Sequence, residues 1–363
     1  MRVVHVFKDY FPPTRGGIEQ HVHDLVHSLD GFEFEVLTSS RSRRTVVEDD
    51  AGVKVTRAAE YLRPASTPVT PAWVRILRKT RADLFHFHMP NPFGELCFLA
   101  AHPRPRLVAT YHADIVGRRA ALPFFGPFQR RFLGRAEAIA VGSPALRDSS
   151  PALARVRERS VVVPFGVEIE QWARRPPAAD EIRVSYPAPL LVFLGRLSRY
   201  KGVEVLIEAM SGIDAHLAVV GDGPMRAELQ RRAATSAARG RIHFAGEIHD
   251  TERASYYHAA DLFVLPSTSR AEAFGISMLE AMACGTPAVC TEVGTGTSWV
   301  NRQGETGLVV PPRSPEALAA AIRALLHDEG RRREMGEAAA LRARDRFSRD
   351  QMFEGIAALY DSH

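Results

Sequence analysis

Two carboxylates, two cations and a pair of glycines stand out by type and spacing. In LPSTSRAEAFGISMLEAMACGTP (265–287), Glu272 lies in a polar loop, and Glu280 sits in Ile276–Ala283, a run with the composition of a buried helix. An unpaired carboxylate is expensive to bury, so Glu280 requires a partner. The vicinal hydroxyls of a ribose supply the donors it lacks, and Glu272 can accept from sugar hydroxyls in the same pocket. The alternative for Glu280 is a structural tie to a buried N–H or an arginine. Backbone N–H groups at Phe274, Gly275 and Ile276 open the helix and add donors.

In LGRLSRYKG (194–202), Arg196 and Lys201 follow an apolar run. A bidentate guanidinium with a second cation suits a diphosphate, each charge-assisted hydrogen bond contributing about 1.5–3 kcal/mol. Solvated surface cations are the other reading. Gly16 and Gly17, ahead of a helical pattern, let backbone N–H groups approach an anion, or simply form a turn. His112 and Asp114, in TYHADIVG (110–117), end another apolar run where a ligand can be met, although a lone histidine is more often a core or surface group. His86 and His88 lie two apart on a strand with no third metal ligand in view, and His23 and His27 read as the wet face of a helix.

Positioning such groups takes parallel strands with crossover helices. Short apolar runs at 3–7, 34–38, 84–88, 107–111, 138–142 and 160–164 alternate with amphipathic stretches. After Gly17, Val22, Leu25, Val26 and Leu29 follow the spacing of one buried helix face. The pattern breaks at the proline- and charge-rich 171–189 and restarts with runs at 190–195, 216–221, 241–246, 261–266, 286–291 and 307–311. The fold class expected is α/β, two doubly wound Rossmann-like domains, whose ligands bind beyond the carboxyl ends of strands. The expected division is 1–170, a linker 171–189, then 190–347, with 348–363 as a final amphipathic helix. Ser314–Pro315 reads as N-cap and first turn of a long helix.

The 363 residues are 45% hydrophobic and 25% charged, an ordinary globular composition for two domains. No run of eighteen apolar residues occurs, and neither a signal peptide nor a membrane span is expected. Three cysteines without metal spacing suit a reducing compartment, so a cytoplasmic location is expected. Residues 1–175 carry 26 Lys and Arg against 18 Asp and Glu, and the remainder 21 against 24, so the basic character is confined to the first half. Within it, RRAALPFFGPFQRRFLGR (118–135) mixes five arginines with phenylalanines. This reads either as an interfacial segment for an anionic membrane surface or as a helix whose phenylalanines enter the core.

RGGIEQHV, GRLSRYKG, VVGDGPMRAEL, FAGEIHDTERASYYHAADLFVLPS, EAFGISMLEAMACGTPAV and GETGLVVPP, in that order along nearly the whole chain, resemble glycosyltransferase family 4, of the GT-B fold. The most specific mark is Glu272 and Glu280 with seven residues between them. The resemblance implies a retaining transferase whose donor, a nucleotide-diphosphate sugar, binds in a cleft faced by both domains. It assigns the diphosphate to Arg196 and Lys201 with help from Gly16 and Gly17, and the sugar to Glu272 and the amides at Phe274, Gly275 and Ile276. Glu280 takes the ribose, the backbone near Ile248 the base, and His112 a place beside the donor sugar; Asp114 is a candidate on the acceptor side. The last helix is expected to cross back to the first domain.

Departure of a diphosphate concentrates negative charge that prepositioned cations and amides stabilise. No Asp-x-Asp is present, so no metal and no cofactor beyond the co-substrate are expected. HMPNPFGEL and YHADIVG look like a bacterial subgroup associated with mannosyl transfer, which favours GDP-mannose over UDP-glucose or UDP-GlcNAc, a glycan or lipid-linked acceptor, and peripheral placement at the inner membrane face. Other GT-B chemistry, by an epimerase or a phosphorylase, is an alternative. A dinucleotide oxidoreductase fits poorly, because GDGPMR offers only two glycines of the fingerprint. A non-catalytic polyanion-binding protein accounts for the basic half but not for Glu272 and Glu280, and nucleic acid is not an expected partner.

Overall fold

The protein is described here by a computed structural model that covers residues 1–14, 16–115, 122–186 and 188–361. The chain divides into two compact units, Met1–Val163 with Phe353–His363, and Pro164–Met352.

In the first unit the described strands are β1 (Arg2–Val6), β2 (Glu33–Ser39), β3 (Val46–Asp50), β4 (Val53–Ala58), β5 (Leu84–Met89), β6 (Arg106–Tyr111), β7 (Ala138–Val141) and β8 (Ser160–Val162). They form one sheet in the order β3-β4-β2-β1-β5-β6-β7-β8, parallel except at β3–β4. Because side chains alternate along a strand, this sheet has two different faces. Val4, Val6, Phe85, Phe87, Leu107, Ala109 and Tyr111 share the hydrophobic core on one of them. His5, His86, His88 and Thr110 fall on the other, and the pairing of His5 with His86 and of His88 with Thr110 lines them up across three strands.

The second unit contains β9 (Leu190–Leu194), β10 (His216–Val220), β11 (Ile242–Gly246), β12 (Leu262–Leu265), β13 (Ala288–Thr291) and β14 (Gly307–Val310). All its pairings are parallel, in the order β11-β10-β9-β12-β13-β14. The order of strand addition reverses between β9 and β12, the place where an open parallel sheet leaves a crevice for ligands. Ser314 caps the helix Pro315–His327 by accepting from the Ala317 N–H, as its sequence signature predicts.

One expectation needs correction, and one alternative left open by the sequence is decided in part. Residues 171–189 are not an unstructured connection: within the second unit, Ile169–Ala173 and Ala178–Ser185 are helices, and Arg183 pairs with Asp261 at 2.6 Å. Propensity and a half-buried ion pair supply there what apolar periodicity does not. In the stretch 118–135, residues 118–121 lie outside the described residues. In the helix Leu122–Arg135, Phe132 and Leu133 are fully buried in the first unit's core, whereas Phe128 is 47% exposed. Two of its large apolar residues are therefore core rather than membrane groups. No helix of the described residues is long and apolar enough to cross a membrane. The last helix, Arg349–Asp361, passes from the second unit into the first at Met352–Phe353.

Candidate active site

The loops after β9 and β12 meet at the reversal point of the second sheet. Gly202 makes this contact sterically possible: at φ +68° a side-chain carbon there would fall 2.1 Å from the Pro266 carbonyl oxygen. The Thr268 N–H donates to the Tyr200 carbonyl at 2.8 Å, tying the loops together. As a result Lys201 Nζ lies 2.7 Å from Glu272 Oε2, both side chains almost closed to solvent. Ser267 donates a second hydrogen bond to the same oxygen at 3.0 Å, and Thr295 bonds the Glu272 carbonyl. Burial works against the charge on Lys201, but Glu272, with Tyr200 in support, outweighs it and raises the ammonium pKa. Lys201 is a cation held in place.

Arg196 is exposed, and among the described residues its side chain has no ion pair or hydrogen bond. The turn through Gly195 brings Lys201 Nζ within 3.8 Å of where a carbon on Gly195 would stand, next to Arg196 in the chain. One cation is thus fixed by a carboxylate and its neighbour is left to swing. This loop is braced by GDGP: Leu197 N–H donates to Asp222, and Gly221 admits the Gly195 carbonyl where any side chain would collide.

The helix Ile276–Ala283 starts at Gly275, whose φ of +86° suits glycine and whose contact with Leu265 leaves no room for a side chain. Among the described residues, no backbone or side-chain acceptor takes the amides of Phe274, Gly275 and Ile276. Glu280, one turn in, is 4% exposed and is tied to Arg253 and to the Tyr257 hydroxyl at 2.7 Å. The structural tie to an arginine, open at the level of sequence, is therefore real. Yet both bonds end on Oε2, which leaves Oε1 able to accept from a ligand. Burial raises the Glu280 pKa, against the pull of Arg253 and Tyr257. Trp172 covers this group, its ring 5.6 Å from the Arg253 guanidinium and edge-on to Tyr257. Arg253 and Tyr257 were not singled out from the sequence; only the fold shows that their helix faces Glu280. Ile248 follows β11 and is half-buried.

In the first unit, Gly16 is the N-cap of the helix Gly17–Ser28, and the Glu19 carboxylate folds back over it. His112, just past β6, is 4% exposed and bonds His88 at 3.0 Å. Asp114 accepts from Tyr111 at 2.9 Å and from Ser150 at 2.6 Å, bonds that anchor its loop. A third histidine joins the two that lie two apart on β5: nitrogens of His5, His86 and His88 lie within 4.8 Å of one another. His5 bonds His88, and both nitrogens of His86 are engaged by Tyr360 and Thr110. His23 and His27 are half-buried rather than wet, with His27 bonded to Asp50 at 3.1 Å. Two surface hollows of the first unit, about 560 and 410 Å³, share Arg2 and Arg81 at the opening ends of the strands, away from all these groups.

Residues 15–171 match the family model Glycosyltransferase Family 4, and residues 180–342 match Glycosyl transferases group 1. The D-rhamnosyltransferase WbpZ of Pseudomonas aeruginosa is 36% identical over 96% of this chain and 92% of its own. The chain belongs to glycosyltransferase family 4. This glycosyltransferase is also 31% identical to the O-antigen chain mannosyltransferase C of Escherichia coli, over 99% of this chain and 98% of that one. A GDP-mannose-dependent phosphatidylinositol monomannoside mannosyltransferase of Mycobacterium tuberculosis is 30% identical over 93% of this chain and 92% of its own. Among solved structures, sucrose-phosphate synthase from Thermosynechococcus elongatus superposes with a TM-score of 0.81 at 24% identity, covering 99% of this chain and 98% of that one. HepE of Anabaena, in complex with UDP, gives 0.81 at 20% over the full length of both chains. These likenesses show that the glycosyltransferase has the GT-B fold.

Proposed function

We propose that this glycosyltransferase moves a mannosyl group from GDP-mannose to a glycan or lipid-linked acceptor, with retention at the anomeric carbon and without a metal. The observation that carries this reading is the Lys201–Glu272 pair at the reversal point of the second sheet, with the amides at 274–276 and Glu280 on the adjoining helix. Lys201 and Arg196 neutralise the departing diphosphate, aided by the backbone at Gly16–Gly17. Glu272 and the three amides hold the sugar, Glu280 accepts the ribose diol through Oε1, and the backbone near Ile248 contacts the base. His112 lies beside the donor sugar and Asp114 on the acceptor side. Positive groups set in place before reaction need no reorganisation as the leaving charge grows, which is the economy of such sites. The leaving phosphate takes the acceptor proton on the same face of the sugar; a covalent sugar adduct on Glu272 or Asp114, seen by mass spectrometry, refutes that step.

Mannose is favoured by two relatives whose names specify it. The rhamnosyltransferase relative, whose name specifies D-rhamnose, favours a second sugar of the mannose configuration lacking one hydroxyl, D-rhamnose. A screen of GDP-mannose, GDP-D-rhamnose, UDP-glucose and UDP-GlcNAc by thermal shift and by nucleotide release decides. Stabilisation and turnover confined to the GDP sugars are expected, and turnover of UDP sugars alone overturns the assignment. A lipid-linked acceptor places the enzyme peripherally on the inner membrane face. The exposed Phe128, Arg130, Arg131 and Arg135 support that placement. Flotation with anionic vesicles at low salt tests it, and absence of lipid-dependent association removes it.

A further inference from the structure

We infer that His23, His27 and Asp50 form a binding site for a divalent transition metal ion of the zinc class, which clamps the β3–β4 hairpin onto the helix Gly17–Ser28. All three residues belong to the first unit, and none is among the groups assigned above to the sugar donor or the acceptor. His23 and His27 are four apart, so they share one face of that helix, and their ring centroids are 4.4 Å apart. The sequence offers this pair; only the hairpin brings Asp50, 23 positions on, beside it. β3 is largely exposed and, among the described strands, pairs with β4 alone. The hairpin closes through Ala51 and Gly52, both at positive φ, with Asp50 opposite Val53. This two-residue turn, whose twist matches that of its strands, puts Asp50 at the hairpin tip. There Asp50 Oδ2 meets His27 Nε2 at 3.1 Å.

Two imidazoles four apart on a helix, completed by a carboxylate from a second element, make a zinc ligand set. Imidazole nitrogen suits transition ions, whereas magnesium and calcium take oxygen. One ligand atom from each of the three residues lies within 4.8 Å of the other two. Atoms so spaced are all within about 2.8 Å of a common point, and zinc bonds to nitrogen and oxygen are about 2.0–2.2 Å long. Side-chain shifts of about 0.8 Å or less therefore close the site. The three side chains are 25%, 18% and 26% exposed, so an ion in solution reaches them. The His5, His86 and His88 cluster is as tight but closed to solvent, and both nitrogens of His86 are already engaged. Behind the ligands, the Tyr10 hydroxyl donates to Asp50 Oδ2 at 2.9 Å and orients the carboxylate, the outer support that metal sites use. Asp24, held by Gln20 at 2.7 Å, stands 3.4 Å from His23 and adds a second negative charge. Arg57 lies over the Tyr10 ring but is paired with Glu48 at 2.6 Å, which offsets its repulsion of a metal ion.

The test is a titration of the untagged, chelator-stripped full chain with Co²⁺, read in the visible, followed by competition with Zn²⁺. One equivalent of Co²⁺ should bind with the d–d absorption of a four- or five-coordinate ion, and Zn²⁺ should displace it. Loss of an outer partner costs a metal site about 10–100-fold in affinity, so Tyr10→Phe should weaken binding about tenfold. His23→Gln and Asp50→Asn each remove a ligand and should weaken it at least about a hundredfold. His23→Gln gives up only the 3.4 Å contact with Asp24 and should fold as the wild type does. Zn²⁺ at a hundredfold excess over its Kd should raise the Tm of the wild type by about 5 °C, and that of Asp50→Asn not at all. In the wild type itself, long-range proton–nitrogen spectra should show zinc shifting the ring nitrogens of two of the 14 histidines, assigned to His23 and His27 by the variants. The inference is overturned by absence of binding, by binding that neither ligand variant weakens, which marks an adventitious ion only, or by zinc shifts confined to His5, His86 and His88. None of these readings uses sugar-nucleotide turnover, so the metal site and the proposed function stand or fall separately.

Discussion

Replacing Lys201 by Met keeps the aliphatic stem and removes the charge, and the structure fixes what should follow. Glu272 would then be a carboxylate only 8% exposed with Ser267 as its remaining side-chain donor. Removing one partner of a buried ion pair costs about 3–5 kcal/mol, most of it the penalty of the charge left behind. The same substitution removes a cation from the leaving group, for an expected loss of about a hundredfold in kcat, or about 3 kcal/mol of transition-state stabilisation. A second change separates the two effects. Adding Glu272→Gln removes the stranded charge, so the double variant should recover about 2–3 kcal/mol of stability relative to Lys201→Met, the non-additivity expected of contacting residues. Turnover should not recover, because neither the cation nor the carboxylate is restored. Urea unfolding followed by tryptophan fluorescence gives the first quantity, and release of nucleoside diphosphate gives the second. A stability loss under about 1 kcal/mol for Lys201→Met, or turnover regained in the double variant, refutes the reasoning.

Arg196→Ala should show the opposite balance, with stability within about 0.5 kcal/mol of wild type because its exposed side chain has no partner among the described residues, and kcat at least about a hundredfold lower; equal activity removes Arg196 from the site. Glu280→Gln should weaken GDP binding about tenfold to a hundredfold, the loss of a charged acceptor, and calorimetry with 2′,3′-dideoxy-GDP should show no such difference between variant and wild type. Glu95, held by burial at about 8, accepts at Oε1 from the Asn91 N–H and has no partner at Oε2 among the described residues. Its folded pKa exceeds the unfolded one, so the native state binds the extra proton and stability is lost as pH rises from about 4.5 to about 8. Glu95→Gln should abolish this term, gaining about 2–3 kcal/mol on the wild type between pH 5.5 and 7.5 in parallel urea titrations, and equal pH slopes would exclude a buried neutral carboxyl.

Much of the candidate site was legible because its residues follow local rules. Apolar runs of strand length, followed by Gly-rich loops and amphipathic helices, can pack only as parallel sheets, and such sheets expose chemistry at strand ends. Arg196, Lys201, Glu272 and Glu280 were therefore found by position as well as by type. The region 171–189 was misjudged because its helices are held by Arg183–Asp261 and other long-range contacts rather than by an apolar stripe.

The sequence by itself determined the two α/β units, the strand-end loops, and the acidic and basic residue types that those loops carry. Tertiary structure alone decided who touches whom. Lys201 and Glu272 are 71 positions apart, and only the crossing of two loops at Gly202 and Pro266 makes them an ion pair. Glu280 is an acceptor on one oxygen because Arg253 and Tyr257 occupy the other. His5, His86, His88 and His112 form a chain because strand register aligns them, and Tyr360 joins it only when the last helix returns to the first unit. Hydrogen bonds and ion pairs act over about 3 Å, and sequence separation carries no information on that scale until the sheets have set their registers.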